Sequence, residues 1–249
     1  MSANEVTFTI ARHAAWAPGV TSSAAWAAWA DAPWPLSMDE EPKVAAMPAM
    51  LRRRAGFLGR MALEVAYACL GEQHDVPTVF CSRHGEVARS LDLLGDLARG
   101  EPLSPTAFGL AVHNASAGLF TIARADRANH VALAGGAATL EHAVIEACGL
   151  LADGAPLVLL VACDMPLPPL FHQFEDCDEQ PYAFAWALSA AAGDTALRLS
   201  WQAAPAAKEE TGAAARLPGG LEVLRFQLGE TEALQRDTGA VRWTWSRRA

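Results

Sequence analysis

Short apolar runs of strand length alternate with segments of helical periodicity from the start of the chain to residue 165. Pro156–Cys163 is the most uniformly apolar run, which is typical of a strand covered on both faces. Val76–Ser82 and His130–Gly135 are further apolar runs, each followed by a helical pattern. Tyr182–Ala190 and Ala196–Gln202 are predicted to be adjacent antiparallel strands. This order predicts an α/β fold with a mostly parallel five-stranded sheet, helices on both faces and an antiparallel edge.

Two segments near the start of the chain complete this pattern. Glu5–His13 alternates apolar and polar residues, which predicts a first strand. Met50–Leu70 has the clearest helical signal, because apolar side chains recur every four residues along it. The members of that stripe are Phe57, Met61, Val65 and Cys69.

The last fifth of the chain has a different character. Ala203–Pro218 is rich in Ala, Glu and Gly and is expected to be mobile. Gly220–Arg236 is predicted to be a helix, and Arg242–Ser246 a terminal strand with both of its tryptophans on one face. We therefore expect one domain over residues 1–202 and a variable extension over residues 203–249 that packs on the same domain.

Composition excludes several classes of function. With 249 residues, 52% of them apolar, the chain can bury the core of a domain. The net charge of −9 and the lack of a dense basic patch argue against nucleic acid binding. No apolar stretch is long enough to span a membrane, and no signal peptide is evident. Five cysteines without paired spacing indicate free thiols, so a cytoplasmic location is expected.

Three stretches together resemble the β-ketoacyl synthases. Leu51–Ala66 is similar to an early helix of ketosynthase-like proteins from aryl polyene clusters. Ser104–Gly118 resembles the segment that precedes the nucleophile strand, and His130–Thr139 with Ala155–Asp164 resembles that strand and the next core strand. The likeness covers residues 7–190. It implies the N-terminal half of a thiolase-like fold, as in half-length chain-length-factor-like proteins.

Two departures from the ketosynthase pattern bear on activity. The resemblance places Gly135 and Gly136 at the strand-to-helix turn where a ketosynthase carries its nucleophilic cysteine. Neither glycine can form an acyl thioester, and Cys148 lies twelve residues further on, inside the following helix. The catalytic histidines of decarboxylating ketosynthases come from the C-terminal half, and no histidine follows residue 190 here. No independent activity is expected.

The resemblance therefore implies a non-catalytic subunit in fatty acid or aryl polyene and polyketide biosynthesis, without a cofactor or metal. Its expected partners are an active ketosynthase, an acyl carrier protein, or both. A homodimer through the strand 130–135 is an alternative assembly, because an unpaired apolar edge strand favours pairing. The candidate residues of a remnant acyl pocket are His113, Asn114, Ser116 and His142.

A serine hydrolase or acyltransferase is the alternative function. Asn114–Gly118 is one residue short of a Gly-x-Ser-x-Gly elbow around Ser116, with Phe108–Val112 as the strand before it. Asp164 and His172 follow in the order that α/β-hydrolases use. A third reading is a scaffold without an acyl pocket.

Two further groups could carry chemistry. The acidic segment His172–Glu179 contains several metal-ligand types, but a solvated loop is the simpler interpretation. Cys81 and His84 are spaced like a thiolate pair, and a buried core thiol is favoured there.

Overall fold

The structure is a computed structural model that describes residues 4–205 and 216–247. Most of the segment predicted to be mobile, Ala203–Pro218, therefore lies outside the described residues. The strands are β1 Glu5–Trp16, β2 Thr78–Cys81, β3 His130–Leu133, β4 Val158–Asp164, β5 Tyr182–Ala190, β6 Ala196–Ala203, β7 Ala233–Thr238 and β8 Val241–Arg247. The helices are α1 Ser23–Asp31, α2 Ala49–Arg52, α3 Phe57–Leu70, α4 Val87–Ala98, α5 Pro105–Gly109, α6 Ala115–Arg124, α7 Thr139–Ala152 and α8 Gly219–Leu228.

The described strands form one sheet in the order β3-β2-β4-β5-β1-β6-β8-β7. β2 pairs in parallel with β3 and β4, whereas β5 is antiparallel to both of its neighbours, β4 and β1. Four of the five strands from β3 to β1 therefore run in one direction, which confirms the mostly parallel core of a thiolase-like half. β6, β8 and β7 extend this core as an antiparallel edge.

The N-terminal strand corrects one predicted pairing. β5 and β6 were predicted to be adjacent, but β1 lies between them and pairs with both. β1 is twelve residues long, so its two halves can serve two different neighbours. The connection between β5 and β6 therefore crosses over β1 instead of forming a hairpin.

Helices cover both faces of the sheet, as predicted. On one face α1, α7 and α8 pack against a core that includes Trp29, Trp186 and Trp245. On the other face α3 and α6 bury Met61 and Phe120. Every residue of β4 is buried between the two layers, which explains its uniformly apolar sequence. No helix in the described part of the chain has the length and apolarity to cross a bilayer.

Two predicted helices are shorter than their patterns suggested. The segment Met50–Leu70 breaks between α2 and α3, where Gly56 is extended and precedes the first turn of α3. The segment Gly220–Arg236 leaves the helix at Gly229, and its last residues form β7. β7 pairs with β8 around a turn in which Gly239 has φ +60°. Trp243 and Trp245 both face the core, which confirms the predicted terminal strand.

Candidate functional site

The turn between β3 and α7 is where the sequence resemblance predicts a degenerate nucleophile position. Gly136 has φ +59°, a left-handed conformation, and a Cβ built there would meet no atom within 4 Å. Thr139 holds the turn, because its Oγ1 accepts from the Gly135 amide at 2.9 Å and donates to the Gly136 carbonyl at 2.7 Å. The chain therefore forms a sharp strand-to-helix elbow in which neither glycine offers a reactive group.

We expect Gly136→Ala to lower the free energy of unfolding by about 1–2 kcal/mol, the cost of a left-handed conformation for a residue with a Cβ. The surrounding space is open, so backbone strain is the whole effect. Urea denaturation measures it. Gly118→Ala is the control, because Gly118 lies in α6, has no positive φ and also has open space around it. Equal stability of both variants would contradict the left-handed elbow.

A small crevice lies directly behind the elbow. It is lined in part by Gly136, Cys81 at the end of β2, and Asp164 at the end of β4. The carboxyl ends of parallel strands, next to a helix N-terminus, are where open α/β sheets usually bind ligands. This crevice has a volume of only about 10 Å³, which is room for roughly one water molecule. The expected binding position exists, but side chains fill it.

Arg236 of β7 is one of the side chains that fill the crevice. It donates to Glu141 of α7, to Glu222 Oε2 of α8 at 2.8 Å and to the carbonyl of Ala137 at 3.1 Å. Glu141 is completely buried and also accepts from Trp245 Nε1 at 3.2 Å. Burial acts to lower the pKa of Arg236, but Glu141 and Glu222 outweigh it and raise that pKa. The guanidinium is therefore charged and held in place beside the elbow.

Asp164 forms the other polar part of the crevice. Its Oδ1 accepts from Ser82 Oγ at 3.0 Å and from the Arg83 amide at 2.7 Å. Its Oδ2 accepts from Tyr182 Oη at 2.8 Å. Burial raises the pKa of Asp164 above its ordinary value of 3.8, although these hydrogen bonds act in the opposite direction. Both carboxylate oxygens are thus occupied within the protein.

The raised pKa of Asp164 gives a testable pH dependence. Because the folded state holds the proton more tightly than the unfolded state, the contribution to stability is full below pH 3.8 and is lost as the pH rises through the raised pKa. We expect the free energy of unfolding of the native chain, relative to Asp164→Asn, to fall between acidic and neutral pH. Urea denaturation across that range measures it. If the difference in free energy of unfolding between the native chain and Asp164→Asn does not change with pH, the prediction is contradicted. Asp237→Asn is the control, because Arg242 lowers the pKa of Asp237. The free energy of unfolding of the native chain, relative to this variant, should rise with pH instead of falling.

The structure does not collect the four predicted pocket residues into one cavity. His113 Nε2 lies 3.0 Å from the Leu133 carbonyl at the end of β3, and Asn114 precedes the first turn of α6. Ser116 faces α3, where a Cβ built on Gly59 would lie 2.9 Å from its Oγ. His142 instead lines an open, largely apolar cavity of about 580 Å³ beside α7, together with Gly135, Trp201 and Trp243.

His142 is held against the elbow from the α7 side. Its Nδ1 lies 2.8 Å from the Ala138 carbonyl, and its ring meets Trp243 edge-on with centroids 5.3 Å apart. A Cβ built on Gly135 would lie 2.8 Å from the same nitrogen. His142 therefore occupies the space that a side chain at Gly135 would need.

The local structure around Ser116, Asp164 and His172 does not support the serine hydrolase alternative. The segment expected to form the strand before Ser116 begins inside α5, because Ser104 accepts from the Ala107 amide at 3.2 Å and caps a helix there. The oxygens of Asp164 are engaged by Ser82, Arg83 and Tyr182, not by a histidine. His172 is exposed and lies 3.6 Å from Glu175. The three triad candidates therefore make no catalytic arrangement.

The acidic segment 172–179 is tied down by a partly buried arginine. Arg83 contacts Asp176, Glu179 at 3.4 Å and Cys177 Sγ at 3.0 Å. Glu179 Oε2 also accepts from the Leu167 amide at 2.7 Å. Across residues 4–205 and 216–247, no three histidine, cysteine, aspartate or glutamate side chains are grouped to hold a metal ion. This segment was expected to be solvated, and its contact with Arg83 was missed.

Comparison with known proteins places this geometry in a family. A model of the β-ketoacyl synthase N-terminal domain matches residues 26–246. No curated protein matches the chain. A chain from the complex of the ketosynthase ApeO with its chain length factor ApeC of Xenorhabdus doucetiae is 28% identical, with a TM-score of 0.82. That match covers 97% of this chain and 100% of the other, so the two have nearly the same length.

More distant structures share the fold. A chain of the ishigamide ketosynthase/chain length factor is 14% identical with a TM-score of 0.60, covering 80% of this chain and 68% of that one. A β-ketoacyl synthase from Burkholderia phymatum is 13% identical with a TM-score of 0.53, covering 76% and 59%. The family model spans most of the chain, and the sheet has the architecture that the resemblance implied. The chain therefore belongs to the β-ketoacyl synthase N-terminal domain family and has its thiolase-like fold.

Proposed function

We propose that this chain is a non-catalytic, chain-length-factor-like subunit that assists a ketosynthase in fatty acid or polyketide biosynthesis, of the aryl polyene type. The observation that carries the proposal is the strand-to-helix turn at Gly136, which has a left-handed φ and no side chain where the resemblance expects a nucleophile. The similar chain of nearly equal length comes from a complex of a ketosynthase with its chain length factor, which supports the same role here.

The cysteines of the chain offer no replacement nucleophile. A thiol attacks a thioester as its thiolate, so a reactive cysteine needs a lowered pKa. Burial raises the pKa of all five cysteines, to about 12 for Cys148 and well above the usual range for Cys81 and Cys163. The pKa values of Cys69 and Cys177 are raised to about 11. These shifts support a subunit that carries no acyl group.

The proposed contact with the ketosynthase is the free edge of β3 and its surroundings. β3 pairs only with β2 and ends the sheet in the described structure, so one row of its backbone groups has no partner in the sheet. Exposed large apolar side chains are concentrated in the connection from β2 to β3. They are Leu94, Leu97, Leu103, Phe108, Val112 and Ile122. We call the β3 edge and these side chains the docking face.

An unpaired edge strand and exposed apolar side chains are both features that favour association with another subunit. The proposed occupant is an active ketosynthase, which would supply the cysteine and histidines that this chain lacks. A second copy of this chain is the competing occupant. An acyl carrier protein is proposed as a further partner, on the resemblance alone.

Co-expression with affinity-tagged ketosynthases of the source organism tests the assignment. We expect one of them to retain this chain at a one-to-one ratio through size-exclusion chromatography. Self-association of the purified chain, with no retention by any ketosynthase, would overturn the proposed partner.

A second experiment tests the non-catalytic role. The purified chain is incubated with a radiolabelled acyl-coenzyme A and separated on a denaturing gel, with an active ketosynthase as the positive control. We expect the control to hold the label and this chain to hold none. Covalent label on this chain would contradict the assignment.

A further inference from the structure

The crevice behind the elbow is closed by a residue from the far end of the chain. Arg236 lies on β7, at the sheet edge opposite to β3, yet its side chain reaches the carbonyl of Ala137, next to Gly136. Only 8% of the Arg236 side chain is exposed. Its guanidinium is held from α7 by Glu141 and from α8 by Glu222. Three separate elements thus fix one side chain in the crevice.

The start of α8 is shaped around this arrangement. A Cβ built on Gly219 would collide with the guanidinium of Arg236, and one built on Gly220 would collide with the Tyr182 side chain. Neither glycine has a positive φ, so backbone conformation does not demand glycine at these positions. The lack of space requires glycine at both positions, because α8 approaches Arg236 and Tyr182 too closely for any larger residue.

We propose that Arg236 is a built-in plug, which fills the ligand crevice of this fold and prevents an acyl chain or other small ligand from entering behind the elbow. The crevice lies where an open α/β sheet accepts its ligand, and it retains about 10 Å³. Arg236 is the lining residue that comes from the C-terminal strand pair and reaches the elbow backbone. Its bulk, held by Glu141, determines whether the crevice is open. The inference goes beyond the subunit role and does not depend on a ketosynthase partner.

Cys81 is a natural reporter for this plug. Its thiol lies in the crevice lining and is buried. Cys163 is also buried but belongs to the core on the other face of the sheet, so it reports general loosening of the fold. Alkylation by iodoacetamide under native conditions, followed by peptide mass spectrometry, measures both thiols in one sample.

The test uses a pair of double variants. Glu141→Gln removes the buried charge while keeping an acceptor for Trp245, and it is combined with either Arg236→Ala or Arg236→Met. The alanine variant opens the crevice, whereas the methionine variant keeps most of the bulk of the side chain. We expect Cys81 to be alkylated at least tenfold faster in the alanine variant than in the native chain. Cys81 should react at least tenfold more slowly in the methionine variant than in the alanine variant, and Cys163 should react at the native rate in every protein.

Three results would overturn the plug. Cys81 that stays at the native rate in the alanine variant would show that Arg236 does not close the crevice. Equal acceleration of Cys81 alkylation in the methionine and alanine variants would show that the volume of the side chain at position 236 does not control access to the crevice. Parallel acceleration of Cys81 and Cys163 would show that the side chain only holds the fold together. Because the chain is tested alone, none of these results bears on the proposed ketosynthase partner.

Discussion

Arg236→Ala is expected to lower the free energy of unfolding by about 3–5 kcal/mol, the usual effect of removing one partner from a buried ion pair. Glu141 is fully buried, and one of its two carboxylate oxygens already lacks a hydrogen-bond partner. Without Arg236 it would keep only the indole of Trp245 as a donor. The loss of stability therefore comes chiefly from the buried Glu141 carboxylate that is left without its cation. A smaller part comes from the cavity that the arginine side chain leaves.

Urea denaturation of the purified chain measures this loss, and two variants serve as controls. Arg242→Ala removes a partly exposed arginine from its pair with Asp237 on the same hairpin, and we expect little change in stability. Glu141→Gln combined with Arg236→Met removes both charges and keeps the volume, so it should recover most of the loss. A similar small effect of Arg236→Ala and Arg242→Ala would contradict the buried pair.

Phe108→Asp and Ala132→Pro are each expected to weaken binding to the ketosynthase by roughly 30-fold or more, the effect of losing an interface residue worth about 2 kcal/mol. Phe108 is 65% exposed on the docking face, and a carboxylate there would have to be desolvated in the complex. This prediction depends on the proposed function. Titration of the tagged ketosynthase with each variant measures it.

Ala132→Pro is directed at the backbone of the edge. Along β3 the carbonyls of Asn129 and Leu133 accept from β2, at Thr78 and Ser82. The backbone N–H and C=O groups of successive residues in a strand point alternately to its two sides. The amide of Ala132 therefore points away from β2. Proline there removes an outward donor and leaves the bonds to β2 in place.

Phe174→Asp is the matched control for Phe108→Asp. Phe174 is 62% exposed and lies in the connection between β4 and β5, and it is not one of the residues that define the docking face. We expect this variant to bind the ketosynthase like the native chain. If all three variants bind equally well, the docking face is wrong, and if all three bind weakly, the loss is not specific to it. Urea denaturation should show that each variant remains folded.

Local sequence patterns were sufficient for most of the fold. The apolar runs placed β2, β3 and β4. Of these, β2 and β4 are buried along their whole length, and a strand buried on both faces needs apolar residues throughout. Gly135 and Gly136 marked the elbow, since the resemblance aligned them with a nucleophile turn and the structure gives Gly136 a left-handed φ. His130–Gly135 was expected at an edge, and β3 does end the sheet.

The elements that failed depend on contacts between distant segments. β1 separates β5 from β6, which no local pattern in either strand could indicate. The helical pattern of Gly220–Arg236 gave way to β7, because pairing with β8 and the reach of Arg236 to Glu141 decide its last residues. An arginine in an amphipathic pattern gives no sign that its charge will be buried.

The sequence by itself determined the α/β class, because periodicity is a local property. Its resemblance to the ketosynthases supplied the expectations that β3 lies at an edge and that two glycines stand at the strand-to-helix turn. Only the tertiary structure decided that the crevice behind the elbow is filled. Its walls come from β2, β4, β5, α7, α8 and β7, and the burial of Arg236 with Glu141 joins residues that are 95 positions apart. Desolvation of such a pair depends on everything packed around it, and therefore cannot be read from either residue alone.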